Sequence, residues 1–226
     1  MQNIVKFDIG EERFSWDGDK YSQRKAWVSG LHSSQLWRPN IFSNHAFHKD
    51  FACEGGVINM MAQPIKYCYW VAPGKLLAGE YPRNKDEQSS EEKLRALLRA
   101  GVTAFIDLTE EHEGLQPYSA LIGAASHHRF PIRDVSIPES PDATIAILNA
   151  IDRNIERGQL VYVHCWGGVG RTGVIIGCWL ARHGRGGEAA LSHLRELWRQ
   201  CPKSVDRESP ETREQELYIL KWEAGR

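Results

Sequence analysis

Residues 63–226 are expected to form an α/β domain, with a central, mostly parallel sheet flanked by helices, and three observations lead there. Strand-like and helix-like segments alternate from about Tyr67 onward. The run Leu160 to Val163 is apolar and β-branched, as a strand buried on both faces should be. A glycine-rich stretch then separates it from the apolar helical segment Thr172 to Leu180, giving a strand, a turn and a helix in succession. Residues 1–62 read as an irregular N-terminal extension.

In that extension Trp16, Trp27 and Trp37 stand among polar runs with no sustained period. Short alternating stretches such as Lys25 to Leu31 would suit a small sheet, and a partner-binding extension is equally allowed. His32, His45, His48 and Cys53 match no standard zinc spacing, so no metal site is assigned. In the α/β part, Ser89 with Glu92 three residues on reads as a capping box. Leu94, Leu97 and Leu98 follow at helical spacing, and Gly101 is the stop. Val102 to Leu108 reads as a buried strand and His128 to Ile132 as a second one. Ser140 and Pro141 open a helix with an apolar stripe of Ile145, Leu148, Ile151 and Ile155, which Gly158 closes. Beyond the glycine-rich turn, helices are expected to about His183, from Glu188 to Gln200, and from Pro210 with Ser209 as its cap.

The net charge of −1 is spread over mixed signs, which leaves no basic footprint for nucleic acid and no polybasic membrane patch. No apolar run is long enough to span a bilayer, and Met1 to Gly10 lacks the basic start and apolar core of a signal peptide. Five cysteines at irregular spacings do not suit a secreted disulfide framework. A reducing, cytoplasmic location is the expectation.

The chemistry concentrates in His164 Cys165 Trp166 Gly167 Gly168 Val169 Gly170 Arg171 Thr172. Successive backbone N–H groups from Trp166, Gly167, Gly168, Val169, Gly170 and Arg171 can converge on one anion, and the helix N-terminus adds its positive end. The same field favours the thiolate of Cys165, the nucleophilic form. The planar fork of Arg171 suits two phosphoryl oxygens and can hold them as charge redistributes. Thr172 is placed to assist the sulfur as it leaves, and His164 to fix the loop through its ring nitrogens.

His164, Cys165, Gly168, Gly170, Arg171 and Thr172 together resemble the signature loop of the cysteine-dependent protein tyrosine and dual-specificity phosphatases. Tyr69 Trp70 Val71, Pro73 Gly74 and Leu77 Ala78 Gly79 Glu80 Tyr81 Pro82 extend the likeness over most of the stretch from Tyr69 to Trp222. It implies a tyrosine-phosphatase-like fold of the phosphotyrosine protein phosphatase II type, with residues 63–226 as the catalytic domain. No metal or organic cofactor is implied.

Expelling an alkoxide or phenoxide requires a protonated carboxyl on a loop that covers the leaving oxygen. Asp134, in the proline-bounded stretch Phe130 to Pro138 after a strand, is the candidate acid, and the resemblance implies the same placement. Asp107, at a strand end where it would bond local backbone, is held in reserve, while Asp142 suits a helix's first turn. The resemblance places Phe105 to Glu111 at the site's rim. Glu110, Glu111 and Glu113 read as a solvated acidic loop. Classical tyrosine phosphatases position the hydrolytic water with a glutamine, and Gln215 is the candidate, its alternatives being an exposed helical glutamine here and Asp134 acting as base.

Between Cys165 and Arg171 there is no lysine, whereas phosphoinositide phosphatases of the superfamily carry added lysines for additional phosphates. A phosphoprotein or phosphopeptide is therefore the expected substrate, phosphotyrosine first and phosphoserine or phosphothreonine after it. A small-molecule, phosphoinositide or RNA phosphate, and capture of phosphopeptides without turnover, are the alternatives.

Overall fold

The chain divides into two compact units, Met1–Gly56 and Val57–Arg226. The computed structural model describes residues 62–226 and, in the first unit, the backbone of two short strands, β1 (Phe7–Ile9) and β2 (Glu12–Phe14), paired antiparallel. The stretch Lys25 to Leu31 and the quartet His32, His45, His48 and Cys53 lie outside the described residues.

In the second unit β3 (Cys68–Ala72) and β4 (Leu76–Gly79) form an antiparallel hairpin, α1 spans Glu87–Arg99, and β5 spans Val102–Asp107. Then come β6 (Ser126–Arg129), α2 (Pro141–Glu156), β7 (Leu160–His164) and α3 (Gly170–Leu180), with α4 (Gly186–Trp198) and α5 (Arg213–Leu220) last. The sheet order is β3-β4-β7-β5-β6, and every neighbour beyond the hairpin is parallel. The expected mostly parallel α/β sheet is thus the observed one.

Alternation along β7 shows why it is central. Val161 and Val163 point into an apolar layer with Leu148, Ile151 and Ile175, while Leu160 and Tyr162 point into a second layer with Leu94, Leu97 and Phe105. Burying both faces leaves only the strand's C-terminal end free to carry chemistry, which is where open α/β sheets place ligands.

Several boundaries differ from the sequence reading for local reasons. Asp86, not Ser89, caps α1, its carboxylate accepting the Ser89 N–H at 2.8 Å. Strand β6 begins at Ser126 rather than His128. Ser140 caps α2 as expected, accepting from the Ala143 N–H at 3.1 Å. Ser209 does not cap the last helix, because its buried hydroxyl donates to the Val169 carbonyl at 2.8 Å. Thr212 caps α5 instead, in a reciprocal box with Gln215. Among the described residues no helix is long and apolar enough to cross a membrane.

The loop from β7 to α3 is fixed by close approach to β4. Gly168 has φ +72°, and a Cβ there would overlap the Gly79 carbonyl group, so both conformation and space demand glycine. Gly168→Ala is expected to cost about 3 kcal/mol, from positive φ combined with overpacking. Gly158→Ala, at φ +76° with open space around it, should cost about 1 kcal/mol. Urea midpoints of the two variants would check the difference.

Candidate active site

At the C-terminal end of β7 the chain turns through residues 165–169 into the N-terminus of α3. The Trp166 carbonyl accepts the Tyr81 N–H at 2.9 Å, and the Leu108 N–H donates to the His164 carbonyl at 2.9 Å, so loops after two neighbouring strands hold the turn. The Gly168 N–H donates to Cys165 Sγ at 3.3 Å, which shows a backbone amide already directed at the sulfur. Cys165 is buried, and so is every residue from Gly168 to Thr172.

Arg171 is 1% exposed and its partners are one-sided. Its two terminal nitrogens pair with the Glu113 carboxylate, Nη2 reaching Oε2 at 3.0 Å. Nη1 also donates to the Ile132 carbonyl at 3.0 Å, and Nη2 lies 2.8 Å from Asp134 Oδ1. Arg171 Nε and Thr172 Oγ1, both buried, have no hydrogen-bond partner among the described residues. Buried donors are rarely left so, and an anion with several acceptor oxygens in the cradle would satisfy them.

Glu113 corrects the reading of a solvated acidic loop. Its side chain is 7% exposed and neutralises the one arginine on which the cradle depends. Its signal in sequence was slight: a carboxylate just before Gly114, whose φ of +68° ends a single helical turn at Glu111–Glu113. Glu110 closes that turn, its N–H donating to Glu113 Oε1 at 2.7 Å.

Beneath Cys165, Tyr118 hydroxyl and His164 Nε2 lie 2.6 Å apart, and His164 Nδ1 lies 3.3 Å from the Cys165 carbonyl. A carbonyl only accepts, so Nδ1 carries the hydrogen and Nε2 receives the tyrosine proton. Burial pushes the ring's pKa down to about 4, although Asp107, with Oδ1 3.9 Å from Nδ1, pulls the other way. The ring is neutral at pH 7 and acts as a strut. For Asp107 burial alone would raise the pKa, but the His127 hydrogen bond, the His164 ring and two bonds from Thr109 outweigh it and hold the carboxyl well below its usual range. An acid that stays ionised cannot protonate a leaving group, so Asp107 is removed as reserve.

Asp134, Cys165, Trp166 and Gly170 line one open cavity of about 330 Å³, together with Arg207 and Glu211. Asp134 is half exposed on its loop, followed by Val135 at φ +56°, a left-handed conformation costly for a β-branched residue. Gln215 is fully buried, which corrects the exposed-helix alternative. Its amide is engaged within the protein: Oε1 accepts from the Glu211 and Thr212 N–H groups, each at 3.2 Å, and Nε2 donates to the Ser136 carbonyl at 2.9 Å. Gln215 thereby ties α5 to the loop bearing Asp134. The sequence did not single out Glu211 or Arg207, which pair with each other across the turn before α5. No three potential metal-ligating side chains cluster among the described residues.

Residues 65–218 match the family described as "Swiss Army Knife protein, DSP-PTPase phosphatase domain". Among curated relatives, a phosphatidylglycerophosphate phosphatase of Arabidopsis thaliana is 34% identical over 125 residues, 54% of this chain and 51% of that one. A dual specificity protein phosphatase of Danio rerio is 30% identical over 123 residues, 51% of this chain and 19% of that one. The chain thus spans about half or less of the relatives' length. The solved structure of Tk-PTP in its active form has a TM-score of 0.52 at 24% identity, covering 69% of this chain and 94% of that one. The structure of PTPMT1 in complex with PI(5)P has a TM-score of 0.54 at 16% identity, covering 69% and 94%. Both likenesses concern the fold.

Two outcomes follow from these contacts. Glu113→Ala leaves a buried guanidinium short of its main partner, so stability should fall by roughly 3 kcal/mol in urea unfolding and be partly restored by inorganic phosphate, which supplies the missing charge. The unfolded chain protonates a free imidazole near pH 6.5, which the buried His164 ring resists until about pH 4. Stability from this group is therefore complete above pH 6.5 and lost as pH falls toward 4, by up to about 1.4 kcal/mol per unit. Urea unfolding of His164→Asn across that window should show a shallower slope than the wild type.

Proposed function

The chain belongs to the DSP-PTPase phosphatase family, and from that premise we propose that it hydrolyses phosphomonoesters through a phosphocysteine on Cys165. The observation that carries this reading is Cys165 Sγ with a backbone amide directed at it, lining one cavity with Asp134, while two buried donors at the start of the following helix, Arg171 Nε and Thr172 Oγ1, have no partner among the described residues. In the first step Sγ attacks phosphorus, the S–P bond forms and the P–O bond breaks, and Asp134 gives its proton to the departing oxygen. Arg171 and the loop amides hold the equatorial oxygens as charge shifts among them. Water then cleaves the S–P bond and returns the thiolate.

Protein phosphotyrosine is the substrate favoured here. Trp166 and Val135, 54% and 56% exposed, stand at the mouth as apolar surfaces for a phenyl ring, and a phenoxide leaves more readily than an alkoxide. The loop also lacks lysines between Cys165 and Arg171. A phospholipid headgroup is the second reading, and one observation favours it. On the other side of Trp166 and Gly167 an open cavity of about 530 Å³ carries Arg83, Lys85, Lys93 and Lys203 against Glu80 and Glu113, a setting for a second anionic group. The name of the Arabidopsis relative points the same way.

With para-nitrophenyl phosphate, Cys165→Ser is expected to abolish turnover, and equal turnover would sink the phosphocysteine. Asp134→Ala should lower kcat on a phosphotyrosine peptide by a factor of roughly 10² to 10⁴, the span of general acid catalysis, while peptide binding persists. Comparing kcat/KM for that peptide and for phosphatidylglycerophosphate in detergent separates the two substrate readings.

A further inference from the structure

The loop that carries Cys165 is also held from behind, by a lysine outside the signature stretch. Lys203 lies in the single helical turn Pro202–Val205, and its ammonium is engaged on three sides. Nζ donates to the Gly167 carbonyl at 2.9 Å and to Glu80 Oε2 at 2.7 Å, and it stands 4.6 Å from the centre of the Tyr67 ring. Lys93 binds the other oxygen of the same carboxylate. Two ammonium groups thus share one anion, which leaves the cluster behind Gly167 net positive. The Lys203 and Glu80 side chains are 20% and 16% exposed, so solvent and salt screen them less than an exposed pair.

The carbonyl that Lys203 holds belongs to the same peptide unit as the Gly168 N–H, which donates to Cys165 Sγ at 3.3 Å. In a planar trans peptide the C=O and N–H bonds point in opposite directions, so a cation at the oxygen end and a sulfur at the hydrogen end lie along one dipole. Hydrogen bonds in series polarise one another, and a charged donor makes the stronger bond. Close approach of Gly168 to the Gly79 carbonyl group and the Glu80 nitrogen fixes the orientation of that unit.

Resting on the phosphocysteine reading, we infer that Lys203 is a positioning residue for the nucleophile, stabilising the Cys165 thiolate through the polarised Gly167–Gly168 peptide. It acts through a backbone amide rather than on the sulfur itself. The same amide would receive the thiolate when the S–P bond breaks. Around Cys165 the other charged groups are Arg171 on α3, Asp134 after β6, and Arg207 and Glu211 before α5. The His164 ring is neutral at pH 7, and burial keeps the Tyr69 and Tyr162 hydroxyls protonated. Around Lys203 they are Glu80 and Lys93, with Lys66 over the Tyr67 ring and the buried Cys201 thiol close by.

The test is the rate at which iodoacetamide alkylates Cys165 as a function of pH, read by mass spectrometry of the peptide that carries it, with no substrate present. Lys203→Met keeps the length of the side chain and removes both the charge and the donor. Its alkylation midpoint is expected to rise by roughly one pH unit, about a tenfold loss of thiolate below the midpoint, and Lys203→Arg should restore most of it. Lys93→Met takes the other ammonium from Glu80 but leaves the Gly167 carbonyl held, so its midpoint should move by less than half as much. An unmoved midpoint in Lys203→Met, or no rescue by Lys203→Arg, overturns the inference. An equal rise in Lys93→Met would make the effect a general field rather than one peptide, and also overturns it. If Lys203→Met folds poorly by its thermal midpoint, Lys203→Gln takes its place, with the same rise expected and the same results overturning the inference. Turnover of para-nitrophenyl phosphate by Cys165→Ser would instead defeat the phosphocysteine reading itself, whatever the alkylation profile shows.

Discussion

The pairing of Arg171 with Glu113 is the constraint on which the rest of the site depends. A guanidinium that is 1% exposed is tolerable only with a partner of opposite charge and with its N–H groups satisfied, since an unpaired buried charge costs several kcal/mol. Glu113 supplies the charge, the Ile132 carbonyl takes a further donor, and Asp134 approaches the same edge. One side chain at the start of α3 thereby joins the loop after β5 to the loop after β6. Because those partners occupy the terminal nitrogens, the guanidinium is held in place with Nε unsatisfied among the described residues.

A second network sets the floor under Cys165. Asp107, fully buried at the end of β5, draws in His127, Arg129 and Thr109 and lies near the His164 ring. That ring stays neutral and connects Tyr118 to the Cys165 carbonyl, fixing the first peptide of the cradle. The loop above it is pressed on Gly79 at Gly168 and on Glu211 at Gly170. Orientation here comes from buried, largely satisfied polar groups on rigid strand ends, the arrangement that lets a site hold donors toward developing charge without reorganising.

Much of this was legible in the sequence wherever the signal is local. The two-faced burial of Leu160 to Val163, the Ser140-Pro141 helix start and the strand-turn-helix around the glycines each follow from short-range chemistry, and the observed sheet agrees. The misses share a cause, which is that the deciding partner lies far along the chain. Ser209 looked like a cap because nothing nearby reveals that Val169 claims its hydroxyl. Glu113 looked solvated because Arg171 is distant in sequence, and acidic runs on loops ordinarily face water. The exposed-helix alternative for Gln215 fails because its acceptor, the Ser136 carbonyl, belongs to another loop. Glu211 resembles half of an ordinary i, i+4 surface pair unless its packing against Gly170 is known.

On the proposed reading these parts form one dianion cradle, with Arg171 held in place by Glu113. The most direct test is a crystal structure of the protein with bound tungstate, a tetrahedral dianion of phosphate geometry. Tungstate oxygens are expected within hydrogen-bond distance of Arg171 Nε and of the backbone N–H groups between Trp166 and Arg171, with the Glu113 pair intact. Tungstate bound elsewhere, or bound in the cradle with Arg171 Nε still unpartnered, would contradict it.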